Sequence, residues 1–96
     1  MARKVRTHKF NDNKYYLLVG DGFHGTCDSP RETSRKLYLC VNEKLNSKKG
    51  LQVLIGECLH AENWAQTEEV THRAGDEIGD LLWRLLRSGQ INIKGE

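Results

Sequence analysis

Leu51 to His60 reads LQVLIGECLH and runs on through AEN to Trp64. On an α-helix, at about 100° per residue, Leu51, Leu54, Ile55, Cys58 and Leu59 fall on one stripe. This is the i, i+3, i+4, i+7, i+8 spacing of a helix lying on a core. The opposite face carries Val53, Gly56, Glu57, His60 and Trp64. A solvated face would be lysine and glutamate, whereas this one mixes apolar bulk with one acid and one imidazole. Such a helix is covered on both sides or floors a cleft, and the rest of the chain must supply the cover.

There is little chain to do it with. Its 96 residues are too few for two independent cores, so a single domain over 1–96 is expected. Hydrophobic content of 38% and charged content of 29% fit a soluble globular protein. No apolar run approaches the roughly 20 residues that span a bilayer. The basic start MARKVR leads into polar sequence and not into the apolar stretch of a signal peptide. The expected location is the cytoplasm, with no membrane partner. Cys27, Cys40 and Cys58 are odd in number and widely spaced, which suits reduced thiols better than a disulfide framework. No C-x-x-C pair is present, so no thiolate zinc site is indicated. A net charge of +2 is small for a nucleic-acid binder. Arg3, Lys4, Arg6 and Lys9 give that reading a basic segment but no motif.

Residues 4–10 alternate weakly, Asn11-Asp12-Asn13 is a turn cluster, and Tyr15 to Val19 has strand composition. Together they predict a hairpin. His8 reads as ordinary surface. Residues 20–30 read as loop. Within it His24 and Cys27 are a candidate metal pair, against the alternative of a turn whose Asp28 caps its own backbone. Lys36 to Val41 is a third strand, and 42–50 a polar connector. Thr67 is an N-cap with Glu68 and Glu69 in the first turn behind it. Val70, Ala74, Ile78, Leu81, Leu82 and Leu85 form an apolar stripe, and Gly89 is a C-terminal stop. Gly75 and Gly79 each cost that helix about 1 kcal/mol against alanine, so another element is expected to pass close to them. Residues 90–96 read as a frayed tail.

The predicted class is therefore α+β. A small three-stranded antiparallel sheet (strands about 4–19 and 36–41) is followed by two packed helices (about 47–64 and 67–87). The expected core is Leu51, Leu54, Ile55, Leu59, Ile78, Leu81 and Leu85.

The first helix also carries chemistry. In H-E-x-x-H, two histidines one turn apart hold Zn²⁺, and the glutamate between them is general base for the metal-bound water. Here the string is Gly56-Glu57-Cys58-Leu59-His60. The succession of LYLCV, a connector, LQVLIGECLHA, a short break, EEVTHRAGDEI and LLWRL resembles a family of very small zincin-type metallopeptidase homologues of bacteriophages. More distantly it is similar to ImmA/IrrE-type peptidases. The resemblance covers about residues 25–88, including the G-T-C-D turn. It implies a minimal zincin-like fold with Glu57 as general base, His60 as a zinc ligand and Glu69 as the third ligand. The family's first histidine falls on Gly56.

A catalytic zinc needs three protein ligands and a water, and His60 with Glu69 supply two. His72 and Asp76, one and two turns beyond Glu69, or His24 and Cys27 from the loop, are the available replacements. The plainer alternative is a metal-free, hydrogen-bonded cluster of Glu57, His60, Glu69 and His72. The expectation is a non-catalytic zincin-like protein, a phage accessory or inhibitor protein that binds a host or phage protein and needs no cofactor. The alternative is a small active zinc metallohydrolase with a rearranged site.

Overall fold

The computed structural model describes residues 4–20, 26–31 and 36–91. Four strands and two helices follow one another: β1 (Thr7–Phe10), β2 (Asn13–Val19), β3 (Thr26–Cys27), β4 (Leu37–Val41), α1 (Lys48–Glu62) and α2 (Glu68–Ser88). The class is α+β. Arg3, His24 and the tail after Ile91 lie outside the described residues.

β1 and β2 form the expected hairpin, with Phe10 opposite Asn13. Its turn puts Asn11 at φ 48° and Asp12 at φ 66°. A two-residue hairpin turn needs positive φ at both positions, and Asn and Asp tolerate it better than other residues with a side chain. The Glu62 carboxylate accepts the Asn11 N–H at 3.1 Å, tying the turn to the end of α1.

The sheet has the order β1-β2-β4-β3, one strand more than expected, and it is mixed. β2 and β4 pair in parallel, from Tyr15↔Leu37 to Val19↔Val41, which corrects the expectation of an antiparallel sheet. A parallel pair needs a connection long enough to carry the chain back to its starting end, and residues 20–36 provide it. β3 lies within that return and pairs antiparallel with β4. A strand of two residues leaves no periodicity to read.

One face of the sheet builds the core. Tyr15, Leu39 and Val41 are buried together with Ala61 of α1, and Leu17, Leu37, Val53, Leu54 and Cys58 pack around them. On the other face the Tyr16 and Tyr38 rings lie 5.8 Å apart. The ammonium groups of Lys14 and Lys36 sit 5.2 and 4.9 Å from the Tyr16 ring centre. α1 covers the core face. α2 covers α1 and, among the described residues, touches no strand. α1 is thus a middle layer, and every residue from Leu51 to His60 is half-buried, which accounts for its two unsolvated faces. Ser47 caps α1 by accepting the Gly50 N–H at 3.0 Å. Thr67 caps α2 by accepting the Val70 N–H at 3.3 Å, and Gly89 closes α2 at φ 80°. Among the described residues no helix is long and apolar enough to cross a membrane.

The register of α2 corrects the expected core. Its buried residues are Thr71, Gly75 and Gly79, while Ile78 and Leu81 are 45% and 53% exposed. Of the residues expected in the core, Leu54 packs against it, and Leu51, Ile55, Leu59 and Leu85 are half-buried. The cause is the closeness of the two helices. A Cβ on Gly75 would lie 2.8 Å from both Cα and N of Gly56, and one on Gly79 would lie 2.7 Å from Cα of Gln52. Hydrophobic periodicity finds the most apolar face of a helix. The closest approach needs the least bulky face, which here lies roughly a quarter-turn away.

Candidate functional site

α1 and α2 meet along a ladder with one step every fourth residue on each helix. Gln52 faces Gly79 and Gly56 faces Gly75. One step further, the His60 imidazole meets the Thr71 hydroxyl, Nε2 to Oγ1, at 2.9 Å. Side chains fasten the ladder elsewhere. Gln52 Nε2 donates to the Asp76 carbonyl at 3.0 Å, and Lys48 pairs with Asp80 at 3.0 Å.

Thr71 is only 2% exposed. Its hydroxyl lies 3.0 Å from the Glu68 carbonyl and 3.3 Å from the Thr67 carbonyl. A hydroxyl has one proton to donate. With that proton directed at those backbone oxygens, His60 Nε2 must carry a proton and donate it to Thr71 Oγ1. The tautomer follows from the hydrogen-bond network, and it leaves Nδ1 as the basic nitrogen of the neutral ring. The Trp64 ring lies against the imidazole with centroids 5.8 Å apart.

Beside the ladder opens a cleft of about 270 Å³. Glu43 comes from the connector before α1. Lys49, Glu57 and His60 come from α1, and Glu68, His72 and Asp76 from α2. Burial pushes the Glu57 carboxyl above its ordinary pKa, the nearby Glu68 carboxylate adds to the rise, and His72 offsets part of it. His72 Nδ1 and Asp76 form an exposed pair at 3.5 Å.

Of the residues singled out in the sequence, Glu57, His60, His72 and Asp76 share this cleft. Glu69 does not line it. It lies on the outer surface of α2, in a depression with Arg73 and Glu77, and Glu68 takes the place on the cleft wall. One residue on a helix turns a side chain by about 100°, enough to exchange inside for outside. Cys27 lies in a neighbouring depression with Glu57, His60 and Trp64. Burial, with the Glu57 carboxylate adding to it, pushes this thiol up to about 12 against an opposing hydrogen bond with Tyr15. Its S–H donates to the Asp28 carbonyl at 3.6 Å, so it stands as a protonated thiol. His24 lies outside the described residues.

The donor set does not fit a catalytic zinc ion. Gly56 has no side-chain donor atom, so the helix lacks the first of the two imidazoles one turn apart. Among the described residues no group of three or more His, Cys, Asp or Glu is placed to hold a metal ion. The cleft instead sets four carboxylates (Glu43, Glu57, Glu68, Asp76) against Lys49 and two imidazoles. That arrangement suits a cationic side chain.

Thr71, Glu68 and Gln52 are the site residues that sequence reasoning passes over. A signal for the first was present. Thr71, Gly75 and Gly79 form a row of small residues at i, i+4, i+8, marking a close helix contact more directly than the aliphatic stripe. Comparison with models of protein families, with curated proteins and with solved structures finds no match.

Proposed function

We propose that this chain is a non-catalytic zincin-like protein, a phage accessory or inhibitor protein, that acts by binding another protein. The acidic cleft would receive a basic side chain of that partner. One observation carries the reading. The His60 imidazole joins α1 to Thr71 of α2 at 2.9 Å, and Gly56, one turn before it on the cleft wall, has no side chain to supply a second imidazole. Glu57 without a metal-bound water has no acidified nucleophile to activate. It remains a partly buried carboxylate next to Glu68, a pair that a guanidinium or ammonium group would relieve.

The test is an NMR titration with a short arginine peptide. Shifts are expected around Glu57, Glu68 and His72, and should be lost in Glu57→Gln/Glu68→Gln. A peptide that leaves the cleft unshifted, or zinc-dependent peptide hydrolysis abolished by His60→Ala, overturns the proposal. The second result would promote the small zinc hydrolase in its place.

A further inference from the structure

α2 spends its small residues on α1 and leaves its large ones outside. Ile78 and Leu81 are 45% and 53% exposed, and Ala74 and Leu85 beside them are half-buried. These four fall at i, i+4, i+7 and i+11, one continuous stripe over three turns. By helical geometry the stripe lies on the flank of α2 away from His72 and Asp76, so it is separate from the cleft. We propose that this face is a homodimer interface, with α2 of a second copy lying antiparallel across it.

Charge along α2 selects that occupant. Residues 68–80 hold five carboxylates and one arginine, and residues 81–88 hold two arginines and no carboxylate. A two-fold axis that runs the helices antiparallel sets each acidic half against a basic half and opposes the two helix dipoles. A parallel arrangement would set like against like. The stripe fixes the register: Ile78 packs on Leu81 of the second copy, and Ala74 on Leu85 of the second copy. Glu77 and Arg84 both border the stripe on the same side, seven residues apart. In this register Glu77 meets Arg84 of the second copy, and symmetry makes the pair twice. Glu77 forms no ion pair among the described residues, and the contact of Arg84 with Asp80 is long, at 3.8 Å. A closed two-fold contact covers the stripe on both copies and leaves both clefts open, so the inference does not rest on the proposed function.

Analytical ultracentrifugation from low micromolar to high micromolar protein tests it, with circular dichroism verifying that each variant is folded. The wild-type chain is expected to sediment as a concentration-dependent dimer, and Leu81→Asp as a monomer. Glu77→Arg should weaken association by about tenfold, since two attractive pairs become repulsive. The exchange Glu77→Arg/Arg84→Glu should restore it. A monomer at every concentration overturns the inference, even if a different protein takes the face. So does a dimer indifferent to Leu81→Asp, or a Glu77→Arg defect that the exchange leaves unrepaired.

Discussion

The imidazole of His60 and the hydroxyl of Thr71 stand 2.9 Å apart, on the same ladder that sets Gly56 against Gly75 and Gln52 against Gly79. The histidine is therefore part of what positions α2 on α1. Thr71 receives from His60 while its own proton goes to the backbone of its own helix, and among the described residues no buried side-chain nitrogen or oxygen lacks a partner.

Replacing Thr71 by valine keeps the side-chain volume and removes that hydroxyl. His60 Nε2 then loses its partner, and a half-buried donor without an acceptor is costly. Thr71→Val should lower stability by about 1–2 kcal/mol, read from urea unfolding. His60→Ala should cost little more when added to it, because the two share one interaction. Full additivity of the two losses would show that the contact is incidental.

The glycines of the ladder are not equivalent. A Cβ on Gly75 or Gly79 would meet backbone atoms of α1 at 2.7–2.8 Å, so α2 would have to move away. Overpacking of this kind costs about 1–3 kcal/mol, against a helix-propensity gain of about 1 kcal/mol. Gly75→Ala and Gly79→Ala should both lower the melting temperature. Gly56 faces the same seam, yet its own Cβ would meet only the Thr71 carbonyl, at 3.8 Å. Gly56→Ala should therefore be neutral or stabilising by up to about 1 kcal/mol. The opposite order in thermal melts would mean that the seam is looser than described.

That asymmetry also shows what could be read in the chain. The hairpin was legible from Asn11-Asp12, and the two ends of α2 from Thr67 and Gly89, because these depend on local backbone preferences, whereas the Ser47 cap of α1 lay inside what read as a polar connector. The two-sided burial of Leu51–His60 was legible from composition. The parallel pairing of β2 and β4 was not, since it depends on where a loop returns. The buried face of α2 was not legible, because Ile78 and Leu81 outweigh Thr71, Gly75 and Gly79 in hydrophobicity but not in ability to approach. The cleft residues Glu57, His60 and His72 could be named from spacing, whereas choosing Glu68 over Glu69 required the actual phase of α2.

Glu57 gives the cleft a pH signature. Its carboxyl is raised above the ordinary value of 4.5, first by burial and then by Glu68. The folded state therefore binds this proton more tightly than the unfolded chain does. The stability it contributes is fully present below the unfolded value and is lost as pH rises through the folded value. Glu57→Gln removes the ionisation. The variant should melt higher than the wild type at neutral pH, and its advantage should shrink as pH falls through the window above 4.5. A constant difference from pH 4 to pH 8 would mean that Glu57 titrates like a solvated glutamate.

The same geometry says how a metal site could be built. Position 56 lies one turn before His60, on the cleft with Glu57, Glu68 and His72, and its Cβ has room. Gly56→His would add an imidazole at i, i+4 from His60, the spacing at which two helical side chains can share one ion. The Thr71 contact engages Nε2 alone and leaves Nδ1 free to ligate, so it would orient the ring as an outer-shell partner of the ion. Gly56→His should thus bind zinc more tightly than the wild type, and Gly56→His/Thr71→Val, which loses that outer-shell partner, should bind it about tenfold less tightly than Gly56→His. Calorimetric titration of chelator-free protein measures all three forms. The double variant separates the added ligand from its outer-shell support. If it binds as tightly as Gly56→His, the hydrogen bond to Thr71 does not orient the ligand. Tight stoichiometric zinc in the wild-type chain, lost on His60→Ala, would show that the site is complete without an imidazole at position 56.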